Sequence, residues 1–159
     1  MIAHRGLVLK NQEAWAQGVK ISGAAIRGVE VYQAVQAPVN LLSTDINDWE
    51  SGHYDQNGNK SPFVQRIRLI NLWPVPNPRL YFNVNGPTNT FNFILRTYNS
   101  SQALVSNLGT VTNGYISNFA VNVAYLGISI YDSANTALTF ADYQTMFTNG
   151  MINPWIGLA

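Results

Sequence analysis

The 159-residue chain contains no cysteine, which excludes disulfide bonds and thiolate metal sites. Charged residues make up only 11% of it and the net charge is +1, which argues against nucleic-acid binding by bulk electrostatics. No run of about 18 apolar residues is present to span a membrane. The N-terminal MIAHRGLVLK also lacks the long apolar core of a signal peptide. The sequence therefore predicts a protein that neither binds nucleic acid nor inserts into a membrane.

Residues and motifs typical of catalysis are scarce as well. The only histidines are His4 and His53, and the serine-hydrolase, Walker and zinc-protease motifs are absent. Asp48 and Glu50 are close enough in sequence to be considered as a glycosidase pair, but two carboxylates in one short polar loop are more often solvated acids. We therefore predict that the protein is not an enzyme, and we expect no cofactor and no metal.

Turn signals recur at strand-sized intervals from residue 39 onward, among them QNGN at 56–59, PNP at 76–78 and NGP at 85–87. Between the turns lie segments rich in β-branched and aromatic residues, such as RLYFNV, TFNFILRTY and AYLGISIY. Hydrophobic residues account for 47% of the chain, so it has enough apolar surface for a sizeable core. The pattern predicts an all-β fold, an antiparallel β-sandwich or jelly roll.

One short helix is predicted near the C-terminus. Thr139 is a good N-cap, Asp142 stands at the third helical position, and Gly150 can end the helix. The spacing would place three aromatic side chains on one side of it: Phe140, Tyr143 and Phe147.

Residues 1–37 are predicted to form a small β-rich segment that precedes the sandwich of residues 38–159. It contains the short apolar segments GLVLK, GVKIS and IRGVEVY, separated by turns that contain glycine. Ala37–Pro38 is the junction, because proline restricts both itself and the residue before it. So short a segment buries too little surface to be stable alone. We expect it to dock onto the main domain, a copy of itself or a larger assembly.

Alternation along the strands predicts one polar face. In RIRL, FNFILRTY and YLGISIY the aliphatic and phenylalanine side chains fit a core. The opposite face then carries seven polar or aromatic side chains: Arg66, Arg68, Arg96, Tyr98, Tyr125, Ser129 and Tyr131. Arginine forks bind hydroxyl pairs, carboxylates or phosphates, and aromatic rings cover the apolar faces of sugars. The face is interpreted either as a ligand-binding surface or as an ordinary solvated face.

Tryptophans give a second set of candidates. Trp49 and Glu50 are predicted in a loop, where the indole would form a sugar platform and the carboxylate would accept hydroxyl hydrogen bonds. The alternative is that Trp49 covers the end of the sandwich and Glu50 pairs with an arginine. Trp73 and Trp155 stand among apolar residues and are predicted to be core or edge cover.

The segment DQNGN at 55–59 has oxygen-bearing side chains at alternate positions, as some calcium loops do. It lacks the bidentate glutamate of a full EF-hand loop, and Asn-Gly is itself a strong turn signal. We predict a turn, with a cation site as the alternative.

Taken in order, the segments NLL…WESG, RIRL…PV, FILRTYNSS…LVS, VAYLGISIY and YQTMFTNGMINPWI resemble a known family. They are similar to carbohydrate-binding jelly-roll modules on tail, baseplate and fibre proteins of phages that infect Gram-positive bacteria, notably lactic acid bacteria. The resemblance covers about residues 39–156. It implies a non-enzymatic β-sandwich on the surface of a phage particle that binds host cell-wall polysaccharide.

These expectations combine into one functional prediction. The ligand-binding residues would be Trp49, Glu50, Arg66, Arg68, Arg96, Tyr98, Ser129 and Tyr131. Residues 1–37 would contact other virion proteins, and the protein would form a homo-oligomer because linked weak sites gain affinity. The alternative is a structural or decoration protein of the virion, and a third possibility is a glycan hydrolase.

Overall fold

The computed structural model describes residues 39–86, 90–134 and 137–159, and before residue 39 only the backbone of three strands. The chain divides into two compact units, residues 1–39 and residues 40–159. The first contains an antiparallel sheet of β1 (Ala14–Ala16), β2 (Val19–Ile26) and β3 (Val29–Ala34), in that order. The predicted strand in GLVLK lies outside the described residues, and the anchoring role of the segment stays a prediction.

The second unit contains eleven strands and one α-helix among its described residues. In chain order they are β4 (Trp49–Ser51), β5 (His53–Tyr54), β6 (Lys60–Ser61), β7 (Ile67–Leu69), β8 (Trp73–Pro74), β9 (Leu80–Asn85), β10 (Phe91–Tyr98), β11 (Leu104–Val111), β12 (Tyr115–Ile116), β13 (Tyr125–Asp132), α1 (Phe140–Thr148) and β14 (Asn153–Leu158). A short 3-10 helix, Ile46–Asp48, precedes β4.

The strands of this unit form two main antiparallel sheets and one hairpin. The larger sheet has the order β11-β10-β13-β7-β4, with β8 also paired to β13. The smaller sheet has the order β12-β9-β14, and β5 pairs with β6. The predicted all-β fold with antiparallel sheets and one short helix is confirmed.

The core lies between the inner faces of the two sheets. Alternate residues of the central strands are fully buried, as the period of a strand requires. They are Leu80, Phe82 and Val84 on β9, Phe91, Phe93 and Leu95 on β10, Leu126, Ile128 and Ile130 on β13, and Ile156 on β14. The rings of Phe82 and Phe93 meet edge to face across the sheets, with centroids 5.7 Å apart.

Helix α1 closes one end of this core. Thr139 and Asp142 form the predicted capping box, in which each side chain bonds the other residue's backbone N–H. Two of its aromatic residues are buried, Tyr143 beside Phe91 and Phe147 beside Trp49. Gly150, with a φ of +65°, ends the helical segment in the left-handed conformation that favours glycine. Among the described residues, no helix is long and apolar enough to cross a membrane.

Candidate functional site

The predicted polar face lies opposite the core, but much of it is not exposed to solvent. The predicted alternation of side chains between the two sides of the sheet is present. Ile67 and Leu95 are fully buried in the core, while Arg68 and Arg96 extend from the other side of the sheet. However, five of the eight predicted ligand residues are buried: Trp49, Arg68, Arg96, Tyr98 and Ser129. The other three, Glu50, Arg66 and Tyr131, are half-buried.

The hairpin of residues 53–61, formed by β5, β6 and the turn between them, covers part of this face. His53 pairs with Ser61 and Tyr54 with Lys60. The turn is the predicted one at DQNGN, in which the Asp55 carboxylate accepts the N–H groups of Asn57 and Asn59 at 2.8 and 2.9 Å. Among the described residues, no group of three or more His, Asp or Glu side chains is placed to hold a metal ion.

Arg68 ties this hairpin to the sheet. Its Nε donates to Glu50 Oε1 at 2.9 Å, and its Nη1 donates to the carbonyls of Ser61 at 2.7 Å and His53 at 3.2 Å. Lys60 on the hairpin contacts the same Glu50 oxygen at 3.0 Å. The guanidinium therefore bonds protein acceptors in this structure, and a ligand-binding role for Arg68 stays a prediction.

Arg96, Tyr98 and Ser129 hold the hairpin in the same way. Arg96 Nε donates to the Asp55 carbonyl at 2.6 Å, and the Tyr98 hydroxyl donates to the Gly58 carbonyl. Ser129 Oγ accepts the Tyr54 N–H at 3.2 Å. Because buried backbone groups need partners, these side chains satisfy a hairpin that has only two ladder pairs of its own. The structure places these three side chains against the hairpin and not on an open face, and their ligand-binding role stays a prediction.

Close approach of the hairpin also requires a glycine in the sheet. The rings of Tyr54 and Tyr98 pack over Gly127, where an added Cβ would lie 2.9 Å and 3.0 Å from their atoms. The two rings meet edge to face with centroids 6.2 Å apart. Burial raises the pKa of both tyrosines to about 12, so both remain hydroxyl donors.

The predicted sugar platform at Trp49 is wrong. Trp49 belongs to β4 rather than to a loop, is 2% exposed, and packs against Phe147 with ring centroids 5.7 Å apart. The alternative placed Trp49 over the end of the sandwich and paired Glu50 with an arginine; the structure shows the pairing, with Arg68, and buries Trp49 against the helix residue Phe147. Residue 49 stands opposite Leu69 in the sheet, so the same pleat that points Leu69 inward also buries the indole.

Glu50 is a fixed carboxylate in this structure. Burial alone raises its pKa, but hydrogen bonds from Lys60 and Arg68 and their positive charges outweigh that effect, and the pKa is lowered. A lowered pKa disfavours the protonated form that a glycosidase acid requires. Asp48 is exposed and accepts a hydrogen bond from the Ser43 hydroxyl.

Arg66 and Tyr131 are the part of the predicted face that stays together and half-exposed. The Arg66 guanidinium carbon lies 4.4 Å from the centroid of Phe63 and 5.3 Å from that of Tyr131. The Tyr131 hydroxyl is 3.2 Å from Thr110 Oγ1. This arginine stacks on aromatic rings, which is the contact expected of a partly solvated guanidinium.

A cleft of about 360 Å³ opens beside the hairpin. It is lined by Tyr54, Gly58, Lys60, Ile70, Asn71, Leu72, Tyr98 and Gln102. Tyr54 and Tyr98 are almost fully buried and form its floor, whereas Lys60, Asn71 and Gln102 are exposed at its rim. The accessible groups of the cleft are therefore mainly polar ones at the rim, and a few convergent polar groups can fix the orientation of a ligand.

Gln102 has a backbone conformation that singles it out on this rim. Its φ is +61°, and it is the only described residue other than glycine with a positive φ. The turn holds it there, because its N–H donates to the Asn99 carbonyl at 2.9 Å and Asn99 Oδ1 accepts two further N–H groups. Left-handed backbone at a non-glycine residue costs free energy and is concentrated at functional sites.

Sequence reasoning found one cleft residue, Tyr98, and missed its partners. The available signal was the run HYDQNGNKS, where a strong turn between short polar segments indicates a hairpin able to fold over a sheet. Nothing in the sequence marks Gln102, because its importance rests on a backbone angle. No protein-family model, no curated protein and no solved structure matches this chain.

Proposed function

We propose that this protein is a non-catalytic component of a phage particle that binds the cell-wall polysaccharide of a Gram-positive host. The observation that carries the proposal is the 360 Å³ cleft with its tyrosine floor and its rim of Lys60, Asn71 and Gln102. The amide and ammonium groups of the rim bond hydroxyls, while the two tyrosines, 2% and 4% exposed, close the cleft from below and offer no stacking face. The family resemblance of residues 39–156 supports the choice of a cell-wall saccharide.

The unit of residues 1–39 has a separate role in this proposal. Its sheet is distinct from the two sheets of the sandwich, which suits a segment that attaches the protein to other virion proteins. A single cleft of this size makes few contacts, so useful adhesion needs several copies held together. We therefore propose a homo-oligomer displayed on the particle surface.

A structural or decoration protein of the virion is the second candidate. The observation in its favour is that Arg68, Arg96, Tyr98 and Ser129 bond the 53–61 hairpin instead of facing solvent. These four residues would then serve stability alone, and the cleft would have no ligand.

Gln102→Gly separates the two candidates. Glycine adopts the positive φ without strain, but it also increases the conformational freedom of the unfolded chain, so the variant should stay within about 1 kcal/mol of the wild type. It also removes the rim amide, so binding to isolated Gram-positive cell walls should fall about tenfold, the equivalent of ~1.4 kcal/mol. Pull-down with cell walls and thermal melting provide the two readouts.

Gln144→Ala is the matched control, because Gln144 is an exposed amide on α1 and does not line the cleft. It should leave cell-wall binding unchanged. Asn71→Ala, which changes another exposed residue of the rim, should weaken binding as Gln102→Gly does. Equal binding by all four proteins, or no binding by the wild type, would leave the decoration role as the better account.

A further inference from the structure

The outer face of the β12-β9-β14 sheet carries a second set of ligand-type side chains. Leu80, Phe82 and Val84 point into the core, so alternation directs the intervening residues outward. We call the outward positions the Trp155 face. They are Tyr81, Asn83 and Asn85 on β9, Asn153, Trp155 and Gly157 on β14, and Ile116 on β12.

Trp155 is held in place on this face. It stands opposite Asn83 in the sheet, and its indole meets the Tyr81 ring with centroids 5.5 Å apart and planes at 66°. The indole also occupies the space above Gly157, where an added Cβ would come within 2.0 Å of the ring. A half-exposed ring over a glycine, fixed by a second ring, gives a ready contact surface that loses little freedom on binding.

Amides surround this ring. Asn83 Nδ2 donates to Asn85 Oδ1 at 3.0 Å, and Asn153 stands opposite Asn85 across the strand pair. Each amide has two donor hydrogens and two acceptor lone pairs, so this single bond leaves most of their capacity for a ligand. Donors and acceptors side by side match hydroxyl groups, which also act as both.

A cleft borders one end of the Trp155 face. A cleft of about 280 Å³ is lined by Arg79, Ile116, Ser117 and Asn118, and Ile116 belongs to both the cleft and the face. None of the seven positions of the Trp155 face is charged. A single cation, Arg79, stands in the end cleft.

We infer that the Trp155 face binds a saccharide chain that is uncharged along the strands, at a site separate from the cleft beside the hairpin. Six residues of a strand span about 17 Å and three strands about 10–15 Å. The resulting area of ~200 Å² is far below the roughly 800 Å² that each partner buries in a stable protein interface. The size and the neutral amide and aromatic composition therefore favour a sugar chain over a second copy of the protein. This inference rests on the proposed function, since it names the ligand class and a second site for it.

The test uses the full chain and two polysaccharide fractions from Gram-positive cell walls, one neutral and one containing phosphate, each immobilised as an affinity matrix. Wild-type protein should be retained by the neutral fraction, and retention should change little with salt because the face is uncharged. Trp155→Ala should weaken retention about tenfold. Gly157→Ala should weaken it as well, because the new Cβ displaces the indole without removing it.

Val121→Ala controls for loss of an exposed apolar side chain elsewhere, since Val121 is fully exposed, and it should be retained like the wild type. If Trp155→Ala and Gly157→Ala are both retained as well as the wild type, this inference is overturned and the proposed function still stands. Failure of the wild type on both fractions overturns the two together. Retention by the phosphate fraction alone, or a change of oligomeric state in Trp155→Ala, also overturns it and assigns the face to a charged ligand or to self-association.

Discussion

The two sheets of the sandwich use their outer faces differently. The outer side of the larger sheet is covered by the 53–61 hairpin, and four of the five lysines and arginines after residue 39 lie there: Lys60, Arg66, Arg68 and Arg96. The outer side of the smaller sheet carries asparagines, a tyrosine and a tryptophan with no described segment over them.

This difference separates the role of the arginines from that of the neutral polar side chains. Arg68 and Arg96 bond main-chain carbonyls of the hairpin, a use that exploits the several donors of one guanidinium. The neutral face keeps amides and rings, which bind hydroxyl-rich ligands without the desolvation cost of a charge. The arginines thus stabilise the fold, and under our proposal the neutral polar groups are the ones that bind ligand. The predictions below test that division, starting with the largest effect.

Trp49→Ala should destabilise the protein by about 3–5 kcal/mol, because it removes a large aromatic ring from a packed core. Trp155→Ala removes the same side chain from a half-exposed site and should cost only about 1 kcal/mol. Chemical denaturation of both variants measures the difference. Similar losses for the two tryptophans would contradict the contrast between a buried and an open location.

Arg68→Ala should cost about 2–4 kcal/mol, since it leaves two hairpin carbonyls without their donor and leaves Glu50 with Lys60 alone. The matched control is Arg79→Ala, an exposed arginine that should stay within about 0.5 kcal/mol of the wild type. Denaturant unfolding gives both values. If Arg68→Ala is as stable as the control and binds cell walls less well, Arg68 is a ligand residue after all.

Tyr98→Phe should cost about 1 kcal/mol, the usual net value of one hydrogen bond, here the bond to the Gly58 carbonyl. The ring stays in place over Gly127, so the effect should be confined to the hairpin. Hydrogen exchange should show faster exchange of the Gly58 and Asn59 amides. Tyr131→Phe is the control, because Tyr131 bonds Thr110 and does not bond the hairpin, and it should leave those amides unchanged.

The sequence predicted the sandwich because the residue pattern within each strand shows which of its sides faces the core. Ile67, Val84 and Ile128 stand between polar residues or glycine, and that alternation depends only on the pleat. The Thr139 capping box was predictable for a similar reason, since both partners lie within one turn of helix.

The site was predicted less well, because alternation identifies a side of the sheet but not what covers it. Arg68 was placed correctly opposite the core, yet the hairpin that buries it comes from residues 53–61, a separate part of the chain. The same alternation in RLYFNVN directs Tyr81, Asn83 and Asn85 outward. That signal was present, but the apolar surroundings of Trp155 in the sequence favoured an assignment to the core or to edge cover.

The smallest expected effect concerns His53, which belongs to the hairpin that covers the larger sheet. Burial lowers its pKa, and the charges of Arg66, Arg96 and Arg68 lower it further, while Asp55 acts in the opposite direction. Its Nδ1 is buried without a hydrogen-bond partner among the described residues, so a proton added there would find no acceptor.

The sign of the pH effect follows from linkage. The unfolded chain takes up a proton at His53 near its ordinary pKa of 6.5, whereas the folded protein does so only at lower pH. The contribution of His53 to stability is therefore fully present above about pH 6.5 and falls as the pH drops from there towards the lowered folded pKa.

Melting temperatures between pH 8 and pH 5 should show this loss in the wild type and in His4→Gln, but not in His53→Gln. The arginines cause part of the shift, so Arg66→Ala should reduce the loss without removing it. A loss that persists in His53→Gln would mean that the positive charge gathered under the hairpin does not act on this imidazole.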